Sequence, residues 1–409
     1  MKEKNLKIPV VITAYNRVHS LQRILSSVAK AIYDSPVELI ISIDKSDNHE
    51  VKRIAEEFNW PYGEKRIIAH KMSLGLREHI ISCGDLVKSY DGIILLEDDL
   101  YVSPYFYEYI QDAAKFYRND KTIAGISLYS HNFNETPYLP FTPFPDSFDV
   151  FFMQLPSSWG QCWTKNQWNF FRSWYIKNQH KEYRNKNWII PEDIARWPES
   201  SWKKYFFFYM IDQNKFFVYP RTSLSSNFSD PGTHIITRKH IFQRPLQFHK
   251  KQYKFVLLED SDVVYDAFCE FLPGRLNRLC KWLKDYDYEM DIYGVKPLEK
   301  ITRPYLISSR PVNNPLMSFD LSMKPAEMNI IESIEGNCIH LAEKENFKEK
   351  ETRYDTKQLL YYYNLFDYHF PALWEKKNLR KVLYGLKTKD LIKTMIEIMF
   401  SRFKNYFSK

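Results

Sequence analysis

Along the first 130 residues, apolar and polar positions come in blocks of two alternating kinds. Ile8-Pro-Val-Val-Ile-Thr13 is a β-rich apolar run, broken at Ala14-Tyr-Asn-Arg17. From Val18 to Ala31, Leu21, Ile24, Leu25 and Val28 recur at helical spacing, which predicts an amphipathic helix. Val37 to Ile43 is a second apolar run and Asn48 to Phe58 a second helix. Lys65 to His70 reads as a short third strand, Leu76 to Ser89 as a helix, and Gly92 to Leu96 as a fourth strand. Ser103-Pro104 has the form of a helix start, with Ser as N-cap and Pro in the first turn, for a helix reaching about Tyr117. Strands alternating with helices at this spacing predict βαβ units, hence an α/β fold with a mostly parallel, Rossmann-like sheet flanked by helices.

The fourth strand runs straight into three carboxylates, Glu97, Asp98 and Asp99. Adjacent like charges repel unless something positive sits among them. A divalent cation is the obvious candidate, because hard cations take carboxylate oxygens. Ligands of open α/β sheets bind outside the carboxyl ends of the strands. The other strands end in chemistry at the same edge: Asn16-Arg17 after the first, Asp44 after the second, His70 with Gly75 after the third. Each has a plain structural reading as a turn residue or an edge histidine; four together at one edge point to a site. No Gly-rich turn follows the first strand, which sets aside a dinucleotide-binding fold and weakens a nucleotidyltransferase reading.

Past Phe133 the pattern loses its period. Asn134 to Phe152 is rich in Pro and aromatics and reads as loop. Pro156-Ser-Ser-Trp159-Gly160, with further Trp at 163 and 168, suits either a sugar-stacking wall or a packed loop-to-helix junction. Phe216 to Pro220 is a strand, and Ser223 to His234 a loop with Gly232 as a hinge. Beyond Phe242, segments at Asp262 to Phe271, Leu276 to Leu283, Asp291 to Lys296 and Thr302 to Met323 suggest a small accessory region. Lys344 to Arg353 is a charge run. Asn378 to Lys409 carries apolar residues at helical spacing among Lys and Arg, the pattern of a basic amphipathic helix on an anionic membrane or of a docking helix. The expected division is 1–240 for the catalytic domain, 241–345 for an accessory α+β region, and 346–409 for a charged linker and basic amphipathic helices.

Composition changes this picture in three places. Aromatics make up 17% of the 409 residues, enough for both an aromatic core and surfaces that stack on sugars. Lys and Arg (58) exceed Asp and Glu (50) by 8, too few to claim a nucleic-acid partner and suited to an anionic ligand or membrane surface. The five cysteines are scattered, without metal or redox spacing, which fits reduced thiols in a cytoplasmic protein. No signal core follows the polar N-terminus and no apolar run could span a bilayer, so the expectation is a cytoplasmic protein, soluble or peripheral at the inner face of the plasma membrane.

The order of these features resembles GT-A glycosyltransferases of the N-acetylglucosaminyltransferase I type and its bacterial relatives. The segment Thr13-Ala-Tyr-Asn-Arg17 then implies nucleotide contacts from Ala14, Asn16 and Arg17, and Asp44 reads the uracil or ribose. His70 and Leu74-Gly75-Leu76 lie along the nucleoside. Glu97-Asp98-Asp99 carries the metal, Mn²⁺ or Mg²⁺, on Asp99, with Glu97 and Asp98 beside the nucleotide sugar. The Ser-Trp-Gly segment, Trp159 and Gly160, borders the acceptor side. Trp202 matches a Trp that the family follows with an Asp base, but here Lys203 follows it. Glu199 and Asp230 are therefore the nearest acids for that role. The loop ending in Gly232-Thr-His234 resembles the family's closing loop, and His234 could join the metal. The resemblance implies a metal-dependent inverting transferase that moves a hexose or N-acetylhexosamine from a nucleotide-diphosphate sugar, a UDP sugar first, to a glycan or lipid-linked glycan, as in bacterial surface polysaccharide synthesis. Two alternatives stand beside it: a catalytically silent glycan-binding or membrane-surface scaffold, suggested by Lys203, and a nucleotidyltransferase.

Overall fold

The structure, a computed structural model, describes residues 5–181, 188–230, 240–350 and 356–363. Four strands form the parallel half of the main sheet: β1 (Val10–Ala14), β2 (Leu39–Ile43), β3 (Lys65–Ala69) and β4 (Gly92–Glu97). β1 lies between β2 and β4, with Val10 opposite both Leu39 and Ile94. All five residues of β1 and of β2 are buried, which is why these strands read as unbroken apolar runs and not as alternations. Helices α1 (Val18–Ala29), α2 (His49–Glu57) and α3 (Gly75–Gly84) make the crossovers, and α1 buries Leu21, Ile24, Leu25 and Val28, the face its spacing predicts. The expected helix to Ser89 tightens after Gly84 into a 3₁₀ turn over Asp85–Ser89.

The chain then leaves the simple pattern. β5 (Leu100–Val102) follows the acidic triplet at once, and α4 (Phe106–Tyr117) begins two residues later than Ser103-Pro104 predicts. Ser103 does not cap it: its hydroxyl accepts from the Tyr105 N–H and donates to the Gln247 carbonyl. β6 (Ile123–Ser127) follows, then a small ladder of β7 (Phe133–Asn134) with β8 (Leu139–Pro140), then β9 (Val150–Met153) and β10 (Gln161–Thr164). After α5 (Lys165–Asn178), α6 (Glu192–Ala195) and α7 (Trp202–Asp212) come β11 (Phe216–Pro220), β12 (Ser225–Asn227) and β13 (Val264–Tyr265).

The main sheet of the described residues runs β13-β9-β11-β6-β10-β4-β1-β2-β3. β10 is inserted antiparallel between β4 and β6, with Cys162 opposite Ile94 and Ile126. β9 is antiparallel to β11, and β13, from the stretch after residue 240, pairs parallel with β9. The sheet is thus mostly parallel and flanked by helices. α5 and α7 cover it with an aromatic layer in which Phe206 packs on Phe171 (4.4 Å between ring centres) and stacks on Trp163 (5.6 Å). Much of the aromatic content is spent here, inside the protein.

A second sheet holds β14 (Tyr288–Asp291), β15 (Tyr305–Ser308), β16 (Met317–Phe319) and β17 (Ile339–Glu343) in the order β14-β15-β17-β16, with the short helices α8 (Pro273–Leu279) and α9 (Glu327–Ile331) nearby in sequence. Residues Met1–Arg353 form one compact unit and Tyr354–Lys409 another. Of the second unit the helix α10 (Thr356–Tyr363) is described; the amphipathic segment Asn378 to Lys409 lies outside the described residues. No helix among the described residues is long and apolar enough to cross a membrane.

Candidate active site

A cleft of about 480 Å³ opens at the carboxyl ends of β1, β2 and β4. Ala14, Asn16 and Arg17 line it from the end of β1, Asp44 from the end of β2, and Gly75 from the start of α3. Glu97, Asp98 and Asp99 line it from the end of β4, with Trp159 and Asp230 from farther along the chain. The short ladder of β5 with β12, in which Asn227 faces Leu100, brings Asp230 back beside the acidic triplet. The Phe228 N–H donates to the Asp99 carbonyl at 2.9 Å and fixes that return.

Asp98 and Asp99 are buried, 3% and 6% exposed, and Glu97 is partly buried. Burial pushes the Glu97 carboxyl up to about 8, with the Asp99 charge adding to it, and Asp98 up to about 6 against the pull of Arg17. Arg17 is the positive group that holds the cluster together: it pairs with Asp98 and, through Nη1, with Asp99 Oδ2 at 3.2 Å. Burial works against its charge, but Asp98 and Asp99 outweigh burial and hold the guanidinium above its usual range. Nη1 also reaches the Asp230 carbonyl at 3.4 Å. Asp230 is gripped from α1, where Ser20 donates to its Oδ2 at 2.8 Å and Arg23 forms an ion pair with the same oxygen. Ser20 and Arg23 were not singled out in the sequence, although their spacing from Arg17 puts all three on the first two turns of one helix.

Asp44 is committed to backbone. Its Oδ1 accepts from the Leu74 N–H at 2.8 Å and its Oδ2 from the Gly75 N–H at 3.0 Å. Gly75 has φ +71°, a left-handed conformation that strains any side-chain-bearing residue, so the Leu-Gly turn into α3 is specified locally. His70 does not line the cleft. It shares the Ser42 hydroxyl with His79, at 3.3 and 2.8 Å, and the two rings meet edge-on. Burial pushes His79, which does line the cleft, down to about 4.

Trp159 forms a wall: its ring lies 4.7 Å from Phe242, which also lines the cleft, and 4.6 Å from Tyr129. Gly160, next in the chain, has φ +88°, which strains any side-chain-bearing residue, and a Cβ there would crowd Leu128 and Leu96 at 3.2 and 3.3 Å. Trp202 sits in the aromatic layer, edge-on to Trp163, and not in the cleft wall. Glu199 also lies off the cleft; Lys204 (2.6 Å) and the Tyr205 hydroxyl hold its carboxyl below the usual range. His234 lies outside the described residues.

Among the described residues no group of three or more His, Cys, Asp or Glu stands arranged to hold a metal ion. One observation still fits a hard cation. Asp99 Oδ1 is buried without a hydrogen-bond partner among the described residues, while its other oxygen takes Arg17. A buried carboxylate oxygen left unmatched is costly, and a cation is one group that satisfies it.

No curated protein matches this sequence. Among solved structures, a mannosyltransferase from Pyrobaculum calidifontis in complex with GDP-Man and Mn²⁺ is similar at 10% identity over 42% of this chain and 47% of that one, with a TM-score of 0.30. S. aureus TarS (1-349) in complex with UDP-GlcNAc is similar at 12% identity over 56% and 60%, TM-score 0.34. GalNAc-T7 with UDP, GalNAc and Mn²⁺ is similar at 13% identity over 54% and 43%, TM-score 0.37. The chain spans less than two thirds of each. Residues 10–194, from the first residue of β1 into α6 and including Arg17, Asp44 and the acidic triplet, match the family model for glycosyl transferase family 2.

Proposed function

We propose that the cleft binds a nucleotide-diphosphate sugar, a UDP sugar first, and that the protein transfers the sugar to a hydroxyl of a glycan. The observation that carries this reading is the meeting of Arg17, Asp44 and Glu97 to Asp99 in one cleft at three parallel strand ends, inside the stretch matched by the glycosyltransferase family model. The fold is then of the GT-A type. The narrower likeness to N-acetylglucosaminyltransferase I rests on Thr13 to Arg17, Asp44 and the triplet.

Asp99, with its unmatched Oδ1, and His234 would hold Mn²⁺ or Mg²⁺, which when bound offsets the negative charge of the departing diphosphate. Arg17, the cation already at that end of the cleft, pairs with the diphosphate. Asp44 orients the Leu74-Gly75 turn against the nucleoside through the two N–H groups it accepts. Trp159 gives the sugar a flat apolar face to stack on. Transfer is inverting: the acceptor oxygen attacks the anomeric carbon, the bond from that carbon to the diphosphate oxygen breaks, and the hydroxyl proton passes to a base. Of the two acids assigned to that role, Asp230 lines the cleft and Glu199 does not, so the proposal places the proton on Asp230. The acceptor belongs to a surface polysaccharide, free or lipid-linked, and residues 346–409 bring the protein to the inner membrane face.

A silent scaffold is the reading favoured by Lys203, which stands where an acid base is expected. Turnover separates the two. With Mn²⁺ and a panel of UDP and GDP sugars, the enzyme reading expects nucleoside diphosphate release from at least one donor, and Asp99→Asn should lower that release by about 10²-fold or more. No release from any donor, with or without candidate glycans, would leave the scaffold reading standing.

A further inference from the structure

Beside the Trp159 wall lie two cations with no counter-ion among the described residues. Lys203, on the first turn of α7, holds its ammonium 5.6 Å from the centre of the Trp159 ring and 5.2 Å from that of Trp197. It makes no hydrogen bond or ion pair among the described residues; Glu97 and Glu135 act on it only at longer range. Burial pushes its ammonium below the usual lysine range in spite of them.

Arg244 is the second. Its backbone N–H donates to the Ser226 hydroxyl at 2.9 Å, but its buried Nε has no partner and its guanidinium forms no ion pair among the described residues. Both charges reach His131, which is 4% exposed, has an unpartnered Nε2, and is pushed down to about 3 by burial, then by Lys203 and Arg244. Tyr129 joins the two sides: it packs edge-on to both Trp159 and His131, and the Arg244 charge acts on it. Two cations around one aromatic wall thus lack counter-ions among the described residues, with the neutral ring of His131 between them.

Lys203 and Arg244 are both partly buried; drawing a cation partly out of water without a partner is costly, and a protein keeps one where a ligand supplies the missing charge. The diphosphate has its own partner in Arg17, on the Asp98 and Asp99 side. A cation between two indole rings fits a different ligand, a pyranose that stacks its apolar face on Trp159 and presents an anionic group to the ammonium. We infer that Lys203 and Arg244 form a subsite for an anionic saccharide, one carrying a carboxylate or phosphate, at the Trp159 end of the cleft. The inference rests on the transferase reading for the role of that saccharide, as transferred sugar or as acceptor. It also accounts for Lys203 in place of an acid: that position recognises charge instead of accepting a proton.

Calorimetric binding tests it in two arms. The acceptor arm compares methyl β-glucuronide and glucose 6-phosphate with methyl β-glucoside, with and without saturating UDP and Mn²⁺. The donor arm compares UDP-glucuronate with UDP-glucose. The inference expects the charged member of at least one pair to bind about tenfold more tightly or better, the effect of one charged hydrogen bond. That preference should vanish in Lys203→Met and persist in Lys203→Arg; the arm that shows it identifies the source. Lys203→Met should also melt no lower than wild type, because it removes an uncompensated charge, whereas a structural lysine would lower the melting temperature. Equal binding of charged and neutral members in both arms overturns the inference. So does a tenfold loss of UDP affinity in Lys203→Met without any loss of saccharide preference, which would give the lysine to the diphosphate. If UDP and GDP do not bind while the glucuronide preference persists, the transferase reading fails and the subsite stands.

Discussion

Two lysines of this protein, one buried and one partly buried, live in opposite surroundings. Lys296, beside the second sheet, is 2% exposed along its side chain and pairs with Asp266 and Glu289, each at 2.5 Å. Burial opposes its charge, but Asp266 and Glu289 more than compensate and hold the ammonium above its usual range. Arg310 next door is matched in the same way, with Asp291 at 2.7 Å and with Glu349. Lys203, beside the cleft, has two indole rings and, among the described residues, no carboxylate in contact, and burial holds its ammonium below the usual range. The lesson is about completeness. A buried charge that finds its partners inside the chain is part of the architecture; one left open beside a cleft is waiting for something from outside. The acidic triplet stands between the two cases, closed by Arg17 on one side and open at Asp99 Oδ1 on the other.

The comparison can be broken by substitution. The largest effect is expected at Lys296. Lys296→Met strands Asp266 and Glu289 beside the buried Glu270, and loss of one partner from a buried ion pair costs about 3–5 kcal/mol. Chemical denaturation should show that loss, whereas Lys203→Met should leave the midpoint unchanged or raised; equal losses for the two would erase the distinction.

A smaller effect sharpens the same point with a buried acid that has no cation. Glu327 in α9 is 6% exposed, and burial pushes its carboxyl up to about 7. The native state then keeps a proton that the unfolded chain loses above the ordinary carboxylate range. Stability should fall as pH rises from about 4 to about 7, by roughly 3 kcal/mol at most. Glu327→Gln should flatten that part of the stability–pH curve, and an unchanged slope would mean that Glu327 is charged in the native protein.

The parallel half of the fold was legible because physics writes it plainly in sequence. β1, β2 and β4 are buried on both faces, so they appear as apolar runs, and α1 shows one buried stripe at helical spacing. The other half was not. β10 is an antiparallel insertion of four buried residues, Gln161 to Thr164, with no alternation to mark it, and of the two readings open for its Trp163, sugar wall or packed junction, the packed one holds. α7 is apolar nearly all round, the mark of a helix buried on every side, so it carries no stripe to find. Strand ends Arg17, Asp44 and Asp99 could be read because strand polarity alone puts them at one edge. Arg23, Ser20 and Arg244 could not, since their roles come from contacts across long stretches of chain.

The central claim is that the cleft holds a nucleoside diphosphate through a cation on Asp99. Calorimetric titration of UDP and GDP into wild type and Asp99→Asn, each with and without Mn²⁺, tests it most directly. The account predicts that Mn²⁺ tightens binding of one nucleotide by about tenfold or more in wild type and leaves the Asp99→Asn affinity unchanged. Equal affinities with and without Mn²⁺ in wild type, or the same Mn²⁺ dependence in both proteins, would contradict it.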